Sequence, residues 1–519
     1  MPSTLYGIYN AQRALSLNQA AIDIINSNVA NMNTAGYSKQ RLEISQATNV
    51  SSYQNPIDAS QSGLGAVIDN ITRNRDMFLD NSFRKETTDV AYYKEYTENA
   101  TQVENIINEL SDTGLNTALN DFYNSLSQLA SNPNDYVVRN SVVQNAIALT
   151  TKFNDTYTEL QNARTGLVGD ITKPETIGQS KLSIDIDDLN NKLSAVANLN
   201  DKINLSTAQG MTPNALLDQR DQLLDEISEY IPVNITNEKN NTVTLTLGTV
   251  ELVRGKEQSG IFSVQAGTTN DNPSIVQIKN EGGSTFSSNA YSLITSGKIG
   301  AILQIGGDDT SKLTIKSMIE SLNTLAGEFA DAINTVQTGG RYIDNLANPH
   351  ELSNNTANPI PGAPLPLDAD PEAFFLDSDG SGTITAGNIS VNSLITDNPY
   401  QIAASALTSG LTETGDGSNA LLMSQVRNQN IALLGGTTTQ GYITNIVGKL
   451  GTQSTNLQDS YDVKSNILQQ VAQKRESVTG VNLDEELTDL VRFQRSYEAS
   501  AKIMTTISQT LTTIINMIG

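Results

Sequence analysis

Residues 483–518 read LDEELTDLVRFQRSYEASAKIMTTISQTLTTIINMI, and along them Leu483, Leu487, Leu490, Gln494, Tyr497, Ala501, Met504, Ser508, Leu511, Ile515 and Ile518 fall at alternating steps of four and three. That spacing draws a largely apolar seam down one side of a helix, as a coiled-coil partner requires. Asn482 suits the N-cap, and Asp484, Glu485 and Glu486 place negative charge in the first turn, where the helix dipole favours it. At about 1.5 Å per residue such a helix is on the order of 50 Å long. At the other end of the chain Ile8, Ala11, Leu15, Asn18, Ile22, Ile25, Val29 and Met32 repeat the alternation, with Asn18 as a polar interruption that can fix register. Asn33 to Gly36 supply the residues that commonly follow a helix end. Neither helix has a neighbouring stretch of sequence to cover its seam. The two termini are therefore expected to pair with each other, with copies of themselves, or with both.

Between the termini, helical periodicity runs over residues 75–110, 115–130, 135–167, 182–206 and 215–231, interrupted at Asn132-Pro133 and Lys173-Pro174 and ended by Pro232. From Val233 the period changes to two, and VTLTLGTVELV, FSVQAG and SIVQIKN read as strands separated by Gly, Asn and Asp turns. Helical spacing returns at residues 311–336. Residues 337–412 then hold 7 of the 14 prolines together with short strand-like runs at AFFLD, TITAGNISV and LITD. A further helical stretch spans residues 419–476. The predicted fold is multidomain α+β, with long terminal coiled-coil helices and a helical-bundle body carrying inserted β-rich domains. Residues 1–60 and 480–519 make a terminal assembly domain, and 61–232, 311–336 and 413–479 the helical body. Residues 233–310 and 337–412 are the two β-rich insertions.

Composition narrows the chemistry. The 519 residues carry 32 Lys plus Arg against 56 Asp plus Glu, a net charge of −24. A chain so acidic brings too little positive charge to displace counterions from nucleic acid, and it is repelled by an anionic membrane surface. No stretch is long and apolar enough for a membrane span, and the N-terminus lacks the pattern of a cleaved secretory signal. Those signs alone point to the cytoplasm, with export through an uncleaved N-terminus left open. Cysteine is absent, which removes disulfides, thiol nucleophiles and thiolate metal sites. The single histidine, His350, opens HELSN without the second histidine of a zinc-protease helix, and it reads as a loop residue. Residues 377–388, DSDGSGTITAGN, have Asp377, Asp379, Ser381 and Thr383 at calcium-loop positions one, three, five and seven, with Gly382 at the sharp turn. Asn388, however, stands where the bidentate glutamate belongs, and the flanks read as strands, so a β-turn explains the segment better than a metal site does. No catalytic residue and no cofactor are expected.

Residues 27–41, SNVANMNTAGYSKQR, bear a family resemblance. Ala30, Asn31, Asn33, Thr34, Gly36 and Tyr37 are similar to the signature that closes the N-terminal helix in bacterial flagellar rod, hook and hook-associated axial proteins. The C-terminal helix resembles its counterpart in the same family. Residues 62–84 and 214–228 resemble the helical body of the hook-associated branch at the hook–filament junction, and the likeness covers roughly residues 1–235 and 415–519. The resemblance implies a structural, non-enzymatic protein that joins hook to filament. It implies a homo-oligomer in the axial tube, contacting hook protein on one side and the next junction protein on the other. It further implies export of the unfolded chain by the flagellar type III apparatus to an extracellular site, with an export chaperone covering the C-terminal helix beforehand. The assembly contacts would then rest on Ile8, Leu15, Ile22, Ile25 and Val29 with Leu487, Leu490, Tyr497, Met504, Leu511 and Ile515. Such helices should be disordered or frayed in the free monomer and fold as subunits pack. Two other readings are another axial component of rod, hook or distal junction, and a surface adhesin or enzyme on a flagellar anchor with its activity in residues 337–412.

Overall fold

The computed structural model describes residues 2–46, 65–107, 114–269, 272–280, 282–287, 289–307, 312–343, 352–353, 372–406 and 415–518. The chain opens with helix α1 (Pro2–Asn31), followed by the antiparallel strands β1 (Gln40–Gln46) and β2 (Ala66–Arg73). Five long helices and one short one come next: α2 (Met77–Ile107), α3 (Leu115–Ser131), α4 (Tyr136–Val168), the short α5 (Pro174–Gln179), α6 (Lys181–Ala208) and α7 (Asn214–Tyr230). Strands β3 (Asn234–Asn237), β4 (Val243–Leu247), β5 (Val250–Arg254) and β6 (Glu257–Gln258) form one antiparallel sheet in that order. Strands β7 (Ile261–Thr269), β8 (Asn272–Lys279) and β9 (Thr285–Ser287) form another. Helices α8 (Gly297–Gly306) and α9 (Ile315–Thr338) return the chain to the body. The second excursion holds only short pieces: β10 (Gly340–Ile343), β11 (Leu352–Ser353), β12 (Phe375–Asp377), β13 (Ile389–Val391), helix α10 (Ser393–Asp397) and β14 (Ser405–Ala406). Helices α11 (Ser418–Gln425), α12 (Thr439–Thr479) and α13 (Leu483–Ile518) complete a multidomain α+β fold.

Local chemistry sets the boundaries. Asp135 caps α4 by accepting from the Val137 amide at 2.8 Å, and Thr314 and Ser317 form a reciprocal capping box on α9. The continuous helix expected over 419–476 divides into α11 and α12, because Gly435 and Gly436 both adopt φ of 72° and Thr438 starts a new helix by capping the Gly441 amide. The core of the body is aromatic at its centre. The Phe122 ring lies 5.7 Å from each of Phe329, Phe374 and Phe375, which pins the Phe-Phe pair of the second excursion between α3 and α9. Arg139, 1% exposed, fastens the same excursion to α4 by donating to the carbonyls of Pro133 at 2.6 Å, Ile402 at 2.8 Å and Pro399 at 3.2 Å. Burial pulls the Arg139 guanidinium down to about 10, since no carboxylate among the described residues answers its charge.

Helices α1 and α13 pack against each other and project from this body. A Cβ added at Gly7 would lie 3.0 Å from Ile507 Cδ1, and Asn28 donates to Glu486 at 3.1 Å. The pair is therefore antiparallel, and the stretch from residue 7 to residue 28 on α1 is matched residue for residue by that from 507 back to 486 on α13. The last turns of α13 run past the start of α1, leaving Ile515 66% and Met517 81% exposed. No helix among the described residues is long and apolar enough to cross a membrane.

Candidate assembly interface and its joint to the body

The seam between α1 and α13 is narrower than the apolar spacing alone draws it. On α1 the deepest positions are Ala11, Leu17, Asn18, Ala21, Ile25 and Asn28, whereas Ile8, Leu15, Ile22 and Val29 are half-buried and Met32 is exposed. On α13, Leu490, Ala501, Met504 and Leu511 are half-buried beside Phe493, Ser500, Ile507 and Ile514, while Leu487, Tyr497 and Ile515 are exposed. Two helices alone cover only one side of each other, and the alanines allow close approach along that side. The larger apolar residues flank the seam and face outward. Leu483, Leu487 and Val491, spaced by four, form an exposed row on the outside of α13.

The segment after α1 turns the chain back onto both helices. Asn31 donates to the Ser27 carbonyl at 2.9 Å, and the Thr34 amide donates to the Asn31 carbonyl at 2.9 Å. Gly36 adopts φ of 79°, and a Cβ there would meet the Gln222 side chain at 3.1 Å, so the turn and its packing on α7 both favour glycine. Ala30 and Asn33 are exposed. The hub is Asn28, which is 1% exposed. Its amide nitrogen donates to the Gln40 carbonyl at 3.0 Å and to Glu486, and its oxygen accepts from the Gln40 amide at 3.0 Å and the Tyr37 hydroxyl at 2.8 Å. Burial raises the Tyr37 hydroxyl above its ordinary value. Lys39 contacts both Glu485 and Glu486 at 3.1 Å. Burial alone would lower its amine, but the hydrogen bonds to Glu486 and Glu485 more than reverse that.

Three chain segments cross together from the terminal pair to the body. The Lys39 amide donates to the Thr479 carbonyl at 2.8 Å, the Asn74 amide to the Lys39 carbonyl at 2.8 Å, and the Asn74 side chain to the Val478 carbonyl at 2.8 Å. Beneath them α7 presents Asp218, Asp221 and Asp225. The Ser38 hydroxyl donates to Asp218 at 2.7 Å. Arg73 bridges Asp218 at 2.8 Å and Asp221 at 2.7 Å, and Arg75 bridges Asp80 at 2.7 Å and Asp221 at 3.1 Å. Arg475 of α12 spans Asp80 at 3.0 Å and Asp225 at 2.6 Å, and Arg84 binds Asp225 at 2.7 Å. Burial pushes the Asp221 carboxyl up, but Arg75, Arg73, Arg220 and Arg84 outweigh it and hold it below the usual carboxylate range. This network ties the first, middle and last thirds of the chain together. It has the character of a mechanical joint.

Residues 100–348 match the family described as flagellar hook-associated protein FlgK helical domain. Residues 8–37 match the flagella basal body rod protein family, and 472–517 the C-terminal region of flagellar basal body rod FlgEFG proteins. Flagellar hook-associated protein 1 of Bacillus subtilis is 28% identical over 549 residues, spanning 100% of this chain and 99% of that protein. Along its whole length the chain is similar to flagellar hook-associated protein 1. The protein of the same name from Escherichia coli is 24% identical across 98% of this chain and 99% of its own length. The flagellar hook junction protein FlgK from Burkholderia pseudomallei shares the fold, with a TM-score of 0.59 and 16% identity over 77% of this chain and 100% of that one.

A hook-associated family member is a structural protein of the flagellum, and the residues singled out for other chemistry look different in that setting. In the Asp377–Asn388 loop the Asn388 amide nitrogen occupies the interior, donating to Asp379 at 3.0 Å, the Thr383 carbonyl at 3.0 Å and Ser381 at 3.2 Å. Asp377 accepts from the Gly382 amide at 2.8 Å, and hydrogen bonds from Ser381 lower the Asp379 carboxyl. One oxygen of each of these aspartates is thus engaged by the loop's own donors. His350 lies outside the described residues. Sequence reasoning missed Asn28, Glu486 and the aspartates of α7. The readable signal was the spacing of Asp218, Asp221 and Asp225, which places all three on one helical face.

Proposed function

We propose that this chain is the subunit joining hook to filament, polymerising in the flagellar axial tube through α1 and α13. The observation that carries the reading is the terminal pair. Among the described residues it meets the rest of the chain at the joint and along β1 and β2, and it leaves Tyr9, Leu487, Val491, Ile503, Ile515 and Met517 exposed, an unusual cost for a lone molecule and a suitable flank for neighbouring copies. In this reading residues 1–60 and 480–519 are the assembly domain, and the remaining helical and β-rich regions form an outer body with no catalytic role. Hook protein meets one end of the ring and the next junction protein the other. Export proceeds unfolded through the type III apparatus to the cell exterior, to which the absence of cysteine is suited. An export chaperone covers the outer stripe of α13 until then.

Deleting the gene in its native host and imaging the cells tests the proposal. Complete hooks without filaments, with flagellin shed into the medium, are expected. Missing hooks would move the subunit to the rod or hook, and intact filaments would overturn an essential axial role.

A further inference from the structure

Beside the joint lies a cavity of about 520 Å³ that the assembly reading does not use. Arg73, Arg75, Arg84 and Arg220 line it, opposite Asp80, Asp221 and Glu238. The two aspartates are spent on the ion pairs described above, and among the described residues Glu238 accepts only from the Thr244 hydroxyl at 3.4 Å. Across the whole cluster five guanidiniums (those four and Arg475) share four aspartates: Asp80, Asp218, Asp221 and Asp225. Two arginines are left short. Arg84 gives Nε to Asp225 and comes no nearer than 3.7 Å to Asp221, and its Nη2 has no hydrogen bond. Arg220 gives Nη1 to the Asn241 carbonyl, stands 3.8 Å from Asp221, and its Nε has no hydrogen bond. The two residues are 7% and 5% exposed. Burial lowers the Arg220 guanidinium to about 10, Asp221 opposes this, and Arg73, Arg84 and Arg75 add to the fall. Counting the exposed Glu238, five carboxylates face the five guanidiniums and the cluster is close to neutral, but two buried guanidiniums each keep a donor that no acceptor answers.

We propose that this cavity binds a small oxyanion, inorganic phosphate or an ion of like size and charge, through Arg84 and Arg220. Planar guanidiniums suit such an anion, and the volume leaves room for it with part of its hydration shell. The ion would link α2, α7, the segment after β2 and the edge of the first sheet, so its binding would stiffen the joint. The site does not depend on where in the flagellum the chain is placed.

The test is calorimetric titration of the full chain with sodium phosphate against sodium chloride at matched ionic strength, with hydrogen exchange read over residues 73–84 and 214–225. Saturable phosphate binding is expected, with slower exchange in those segments that chloride does not reproduce. Arg220→Gln should weaken binding by roughly tenfold or more, as loss of a charge-assisted contact does. Glu238→Gln removes a wall carboxylate engaged in no ion pair and should tighten binding several-fold with the circular dichroism unchanged. Should Arg220→Gln fail to fold, Glu238→Gln decides. Affinity unchanged in Glu238→Gln, or heat that does not saturate, or protection given equally by chloride, overturns the proposal.

Discussion

Replacing Asp221 by Asn should uncouple the terminal helices from the body. The Asp221 carboxylate is one-tenth exposed, binds Arg73 at 2.7 Å and Arg75 at 3.1 Å, and lies 3.7 Å and 3.8 Å from Arg84 and Arg220. Asparagine keeps the shape but removes the charge facing four guanidiniums, and removing one partner of a buried ion pair costs about 3–5 kcal/mol. Because Asp80, Asp218 and Asp225 remain to share the arginines, the lower end of that range, about 3 kcal/mol, is expected, or roughly a hundredfold in the local opening constant. Native-state hydrogen exchange over residues 37–46 and 73–84 reads the opening directly. The pH dependence identifies the cause. A carboxyl whose folded pKa is depressed contributes stability that is complete above its unfolded value of about 3.9 and is lost as pH falls through the lower folded value. The gap between wild type and Asp221→Asn should therefore stay constant from about pH 5 to 8 and close in acid. A gap below about 1 kcal/mol at neutral pH, or one that persists unchanged in strong acid, would show that charge at Asp221 does not hold the joint.

Three further outcomes follow from other parts of the molecule. Arg139→Met leaves the carbonyls of Pro133, Pro399 and Ile402 without their donor and should cost about 3 kcal/mol, with limited proteolysis cutting first within residues 372–406; wild-type resistance there would refute the clamp. Aspartate at Ile22 or Met504 puts a charge at the half-buried flank of the terminal pair and should abolish incorporation into filaments while the body's thermal transition stays put, an outcome that normal filaments would contradict. Calcium should give no specific heat with the wild-type chain, whereas Asn388→Glu, which removes the interior donor and adds a bidentate ligand, should bind at about 10⁻⁴–10⁻³ M; tight wild-type binding would sink that account.

Much of the architecture was legible because it rests on local chemistry. The heptad alternation at both ends, Asn482 and the acidic first turn of α13, the prolines at 133, 174 and 232, and the change to period two at Val233 all act within a few residues of where they stand. The phase of the terminal seam was less legible. Of the apolar stripe on α1, Ala11, Asn18 and Ile25 lie deepest and Leu15 and Ile22 are half-buried, while Leu17, Ala21 and Asn28, outside the stripe, are as deep, since small and polar residues set how near two helices come and large ones are left for other neighbours. The joint was nearly invisible. Arg475 and Asp225 are 250 residues apart, and Arg73 and Asp218 are 145 apart, so only the aspartate face of α7 could have been read.

The nested topology and the joint have one physical cause. A chain whose two ends must lie side by side has to leave and re-enter its body at the same place, so residues 37–40, 73–76 and 478–482 converge there. Three crossings packed together carry more backbone donors and acceptors than they can pair among themselves, and Asp218, Asn74 and Asn28 supply the missing partners. The arginine–aspartate layer beneath adds stiffness of a particular kind. Ion pairs across several elements resist shear better than they add net stability, because their attraction is largely offset by desolvation. Apolar packing alone at the joint would tolerate sliding of α2, α7 and α12 past one another. In the proposed assembly, with the terminal helices in the axial tube and the body outside it, geometric rigidity at the crossing is the property that would let strain in one part be felt by the other.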